Sequence, residues 1–325
     1  MFIQFFKNNN PASFILLPLF ALVLWVPSFF SEQHIIFQNS MPLYEVLAKP
    51  LAEVPLIATL LAFILIVGEA FLLNYIVNEN EVLSNPSFLP ALFYIMFMSN
   101  NKAMLMLHPL LFANFFILLA IYKLVCSYRK NIAFSEAFDA GLLFSIATLF
   151  YLPSIIFLPI LGIGLFIFRP FNWREWVISF IGVLIPYSFI LTYYFWFDIL
   201  NGLSYNKFFY SAFREQPKLN YHFSFYLMLG VGWFIVFLSI GKLFGGFAGT
   251  SQKTKKGILL FIWAFVFALL SMLIAPEIST KYFSFLAIPA SVFCSNYFLR
   301  IKKQWWAEFL FLLLLTAILS NHFFN

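Results

Sequence analysis

Long apolar runs follow one another along most of this chain, each close to the length of about 17–25 residues that a membrane-crossing helix needs. A soluble fold could not bury them, because 63% of the residues are hydrophobic and only 10% are charged. In hydrocarbon every backbone N–H and C=O must be satisfied within the protein, so runs of this kind fold as helices. The expected class is all-α: a polytopic transmembrane helix bundle forming a single integral membrane domain over residues 1–325. No repeat unit and no separable soluble domain interrupts the pattern. The formal charge of +6 is too thinly spread for nucleic acid, which leaves membrane lipid as the surrounding partner.

The runs divide into spans at 12–30, 53–77, 87–99, 105–127, 139–152, 154–168, 175–198, 223–245, 257–275, 282–299 and 305–320. That is about eleven, with a short-helix hairpin at 139–168. Residues 12–30 read as an uncleaved first span, since no small-residue cleavage pattern follows Pro27. Charge tests the hairpin. With the N-terminus inside, thirteen of the 19 basic residues fall in cytoplasmic segments and six outside. Those outside are Lys49, Lys102, Lys207, Arg214, Lys218 and Lys281. Reading 139–168 as one span reverses everything after it and leaves eight inside against eleven outside. The positive-inside tendency therefore favours the hairpin. The topology that results is that of a multi-pass protein of a bacterial inner membrane, N-terminus cytoplasmic and C-terminus periplasmic.

The stretch "IFRPFNWREWVISF", 167–180, crowds charge and tryptophan between two spans. Each residue there has an architectural reading. Arg169 can meet the last carbonyls of the helix that ends beside it, and Pro170 stops that helix. Asn172 and Glu175 have the spacing of a capping pair, while Trp173 and Trp176 suit the headgroup layer. Gly241, Gly245 and Gly249 recur every fourth residue, a spacing that permits close helix packing.

Few residues are left for chemistry. Glu69 lies inside the second span and Lys123 one turn inside the end of the fourth, both as intramembrane polar groups. An intramembrane carboxylate is costly and calls for a named partner or role, either an ion pair, a neutral acid bonded to a neighbouring helix, or a transport site. The outer face gathers His34, His108, His222 and His322 with several carboxylates and the six outer cations. A carboxylate base with cations holding a phosphate is chemically possible there. No phosphate loop, paired metal-binding histidine motif or serine nucleophile elbow occurs, and Cys126 and Cys294 stand apart from other metal-ligating groups. Neither a metal nor a cofactor is expected.

"DAGLLFSIATLFYLPSIIFLPILGIGLFIFRPFNWREWVISFIGVLIPYSFILTYYF", 139–195, resembles the middle of the C-type polytopic glycosyltransferase superfamily. In that superfamily a Gly-rich span and a Pro-containing span form a tight hairpin. A basic turn follows, then a helix with Gly and Pro near its centre, like Gly182 and Pro186 here. "STKYFSFLAIPASVF", 279–293, is similar to its late span, which opens with a basic residue and Tyr. The chain as a whole also resembles a Phe-rich family of polytopic membrane proteins from Bacteroidota, which implies no activity. The superfamily resemblance implies a polyprenyl-phosphate-linked sugar as donor and an acid of the first outer loop as base. Carried over, that catalytic acid is Glu45 in "SMPLYEVL" or Glu32, with Lys281 and, by location, Arg214 as lipid-phosphate-binding cations.

Three functions follow as expectations: a glycosyltransferase-like enzyme at the outer face, a non-catalytic membrane scaffold or assembly factor that keeps the fold, and a transporter using Glu69. The topology is testable on its own. Reporter fusions placed in 199–222 should read periplasmic and those in 246–256 cytoplasmic; the reverse pair would disprove the hairpin.

Overall fold

The computed structural model describes residues 2–8, 10–30, 41–101, 104–197, 223–244, 250–274 and 283–324, and these are helical throughout, joined by short turns. Among them the elements are α1 (Phe2–Lys7), α2 (Ser13–Phe29), α3 (Pro42–Ala52), α4 (Pro55–Glu79), α5 (Leu89–Met98), α6 (Pro109–Cys126) and α7 (Phe134–Phe150). A 3-10 turn (Leu152–Phe157) leads into α8 (Leu158–Phe168), followed by α9 (Trp173–Trp196), α10 (Phe223–Phe244), α11 (Gln252–Ile274), α12 (Phe283–Arg300) and α13 (Gln304–Phe324). Six of these, α4, α6, α9, α10, α11 and α13, are long and apolar enough to cross a membrane. Each of the eleven expected spans falls on a helix, but eleven crossings are not shown: α2, α5 and the 152–168 unit are shorter apolar helices, and α7 and α12 are not among the six. The chain also forms two helices outside the expected spans, α1 and α3.

Hydrogen bonds group the helix ends. At one end Lys7 Nζ donates to Phe298 O at 3.4 Å, Lys253 Nζ to Glu79 O at 3.5 Å and Thr254 Oγ1 to Glu81 O at 2.7 Å. The Arg169 guanidinium reaches Ser127 O and Asn131 O at the same end, so α7 and α8 together go out and come back. At the other end Tyr44 donates to Leu107 O, and Asn321 to Asn100 O. This is the pairing of ends that the charge count requires. It depends on α7 stopping at Tyr151, whose extended backbone (φ −149°, ψ 109°) and the following Pro153 break the helix.

Helices α5 and α12 occupy the middle, packed on each other and walled by α4, α6, α10 and α11. Nearly every residue of both is buried. That explains why α12 is less apolar than a lipid-facing helix: its Ser291 and Ser295 hydroxyls bond back to Ile288 O and Ser291 O, so they cost little inside protein. Helix α9 is the opposite case. It packs on α7 and leaves Phe180, Leu184, Leu191 and Phe195 exposed, the apolar outward face that hydrocarbon covers.

The α7–α9 contact is made by two glycines. A Cβ at Gly141 would stand 2.2 Å from Ser179 O, and one at Gly182 would stand 2.4 Å from Phe138 O. Backbone meets backbone at both places, so no side chain can swing aside. Without a hydrophobic drive between helices in lipid, such close approach is what holds them. The expected Gly241 contact is absent: a Cβ there meets nothing within 4 Å, and Gly245 and Gly249 lie outside the described residues. Gly182→Val should therefore destabilise the protein by about 1–3 kcal/mol, read as a lower unfolding temperature in detergent, while Gly241→Ala should be silent.

Candidate functional site

Glu45, the expected outer carboxylate, is positioned by α3. Pro42 at its first turn starts the helix, and Tyr44 and Ala48, one turn apart, turn the same face inward. Tyr44 is fully buried and its hydroxyl donates to Leu107 O at 3.1 Å. Helix α3 is strongly amphipathic compared with the long helices described, which suits a position at an interface. Glu45 lies on the outward side and pairs with Lys49 one turn along, at 3.2 Å. Its charge also reaches Tyr194, near the end of α9. Glu45 thus sits on α3, within electrostatic reach of the end of α9. Glu32, Lys281, Arg214, His34 and His222 lie outside the described residues.

The other two histidines are buried. His322 bonds through Nε2 to Ser99 O at 2.6 Å, and Asn321 Nδ2 donates to Asn100 O at 2.7 Å. Trp25 Nε1 donates to Ser99 Oγ at 3.2 Å. These groups meet where α5 ends after only ten residues. Carbonyls freed by a short helix inside a bundle need donors, and α13 supplies them. This accounts for Asn321 and His322 structurally. His108 is also buried, at the start of α6.

Lys123 and Glu69 do not meet. Lys123 Nζ bonds Asp139 Oδ2 of α7 at 2.8 Å, with both side chains about a third exposed. A neighbouring pair, Lys130 and Glu136, is more exposed still on the lysine side. Burial pushes the Glu136 carboxyl upward, but the Lys130 hydrogen bond, its own backbone N–H and the charges of Lys130 and Lys123 outweigh it and hold it below the usual carboxylate range. The bond to Glu136 raises Lys130 in turn. Glu136 was not picked out in the sequence because the span was read from 139, whereas α7 begins at Phe134; Asp139 was read as the first residue of that span, without its Lys123 partner. Glu69 is fully buried and accepts from the Tyr94 hydroxyl at 2.7 Å.

The charged turn at 167–180 differs from expectation in two respects. Asn172 does cap α9, accepting from Arg174 N at 3.2 Å. Glu175, however, does not reach back to complete a capping pair; it takes the guanidinium of Arg169, Nη2 to Oε1 at 2.5 Å and Nε to Oε2 at 3.1 Å. Nor does Arg169 cap its own helix α8. It spans to the turn after α6, bonding Lys130 O, Asn131 O (3.3 Å) and Ser127 O (3.5 Å). Arg129 in that turn has left-handed backbone (φ 58°). The two side chains are 7% and 2% exposed, and the fork geometry of arginine meets a carboxylate and carbonyls at once. It is a structural clamp. Arg169→Ala leaves the Glu175 charge buried and unpaired and should cost about 3–5 kcal/mol, whereas Arg169→Met with Glu175→Leu should recover most of it. Unfolding temperatures of the single and double variants measure both.

No curated protein and no solved structure matches this chain. A family model does, over residues 29–325, which takes in the helices from α3 to α13 and every site described above. The chain belongs to the DUF6427 family, a family of unknown function.

Proposed function

We propose that this multi-pass protein sits in a bacterial inner membrane, N-terminus cytoplasmic and C-terminus periplasmic, and acts as a glycosyltransferase-like enzyme on a polyprenyl-phosphate-linked sugar at the periplasmic face. The observation that carries the reading is the seat of Glu45: an outward carboxylate on a short amphipathic helix, fixed to the outer end by Tyr44. The superfamily that residues 139–195 and 279–293 resemble places its base in the same loop.

In this reading Glu45, or Glu32, takes the proton from an acceptor hydroxyl as that oxygen attacks the anomeric carbon. Lys281 and Arg214 hold the departing polyprenyl phosphate, whose growing charge they stabilise. The second reading is a non-catalytic scaffold or assembly factor. It is favoured by the Glu45–Lys49 pair, which gives the carboxylate a partner within its own helix. A deletion strain complemented with variants separates the two. Glu45→Gln should lower glycan transfer by about 10²–10⁴-fold if the enzyme reading holds. Full complementation by both Glu45→Gln and Glu32→Gln, at normal abundance, would remove the base and leave the scaffold. Mass spectrometry of the purified protein for polyprenyl phosphate adds an independent readout.

A further inference from the structure

Glu69 is placed deep in the bundle, about 15 Å by helical rise from the Glu79 end of α4 and about 21 Å from Pro55. A run of polar groups from three other helices starts at it. Tyr94 of α5 donates to Oε2 at 2.7 Å. Asn114 of α6 lies beside the Tyr94 hydroxyl and donates through Nδ2 to Ser284 O of α12 at 3.1 Å. All four residues are fully buried.

The hydrogen-bond accounting does not close. Among the described residues Glu69 Oε1, Asn114 Oδ1 and Ser284 Oγ have no partner. Two of the three are pure acceptors in an ionised site, so the cluster is short of hydrogens rather than of acceptors. Neighbouring elements do not supply the deficit. Tyr44 of α3 spends its hydroxyl on Leu107 O, Trp25 of α2 spends its N–H on Ser99, and Lys123 of α6 is taken by Asp139. Among the described residues no cation pairs with Glu69. An ionised carboxylate left so is expensive in the membrane core, whereas a neutral acid both removes the charge and turns one orphan acceptor into a donor.

We propose that Glu69 is a proton-binding site of the membrane core, with the Tyr94 hydroxyl donating to its Oε2 and Asn114 and Ser284 next along the same buried run of polar groups. The bound proton lets the α4 acid sit against Tyr94 of α5 without a buried charge, and its release leaves an unpaired anion there. The site is separate from the outer face and stands whether or not Glu45 is a catalytic base. A transporter would use this group, but proton binding is the claim made of it.

Dicyclohexylcarbodiimide, a hydrophobic reagent that modifies protonated carboxyls, tests the site on the full chain in its membrane. Mass spectrometry should find the adduct on Glu69. Above the midpoint of titration the labelling rate should fall roughly tenfold per pH unit, and it should be equal in sodium and potassium chloride. Infrared spectra should show a protonated carboxyl C=O band that Glu69→Gln abolishes while the variant folds, since the amide replaces the acid bond for bond. Absence of both adduct and band would overturn the proposal. So would labelling blocked by sodium and restored by potassium, which would make the occupant a metal cation. The labelling needs no variant, so it remains decisive if Glu69→Gln fails to fold.

Discussion

The buried contact of Arg169 with Glu175 closes the structure at its basic end. One guanidinium ties three pieces of chain: the turn after α6, the end of α8 and the first turn of α9. Taking both charges out of water costs several kcal/mol per ion, so the pair is not a simple source of stability. Its value lies in geometry. A planar fork with five donors can satisfy a carboxylate and several backbone carbonyls together, which fixes where the α7–α8 hairpin returns to that end. Once the return is fixed, α9 starts in the right place for Gly182 to meet the α7 backbone.

The same demand, that no buried polar group go unpaired, shapes the interior. Helix α5 is too short to cross alone, and its freed carbonyls are met by Asn321 and His322 of α13. Helix α12 carries serines that bond to their own backbone. Against this background the Glu69 cluster stands out, because a fully buried acid lies in a run of groups that includes acceptors without donors among the described residues. Helix α3 is organised differently: its Glu45 carboxylate pairs with Lys49 one turn along the same helix.

Much of the fold was legible in the sequence. Apolar length gave the helices, and the asymmetry of lysine and arginine gave the hairpin. Asn172 was readable as a cap. The partners of Arg169 and Glu175 were not, since local spacing suggested bonds to their own helices, and the actual acceptors lie some forty positions earlier. Glu136 was hidden by a span boundary set five residues too late, because a charged first turn does not look like part of an apolar run. The small-residue repeat at 241 misled for a related reason: spacing shows what a helix permits, not what it faces. Glu69 was visible as an oddity, while Tyr94 and Asn114 looked like ordinary residues of their spans.

What this sequence determined by itself was the solvent and the material: hydrocarbon outside, helices within, and the ends to which charge is confined. These follow from composition and from the cost of exposing backbone to lipid, which act locally along the chain. Which helices are central, which glycines touch, and which buried polar atoms find each other were decided only by the tertiary structure. Those outcomes depend on pairs of residues far apart in sequence, and the packing of backbone against backbone selects them only once the whole bundle has formed.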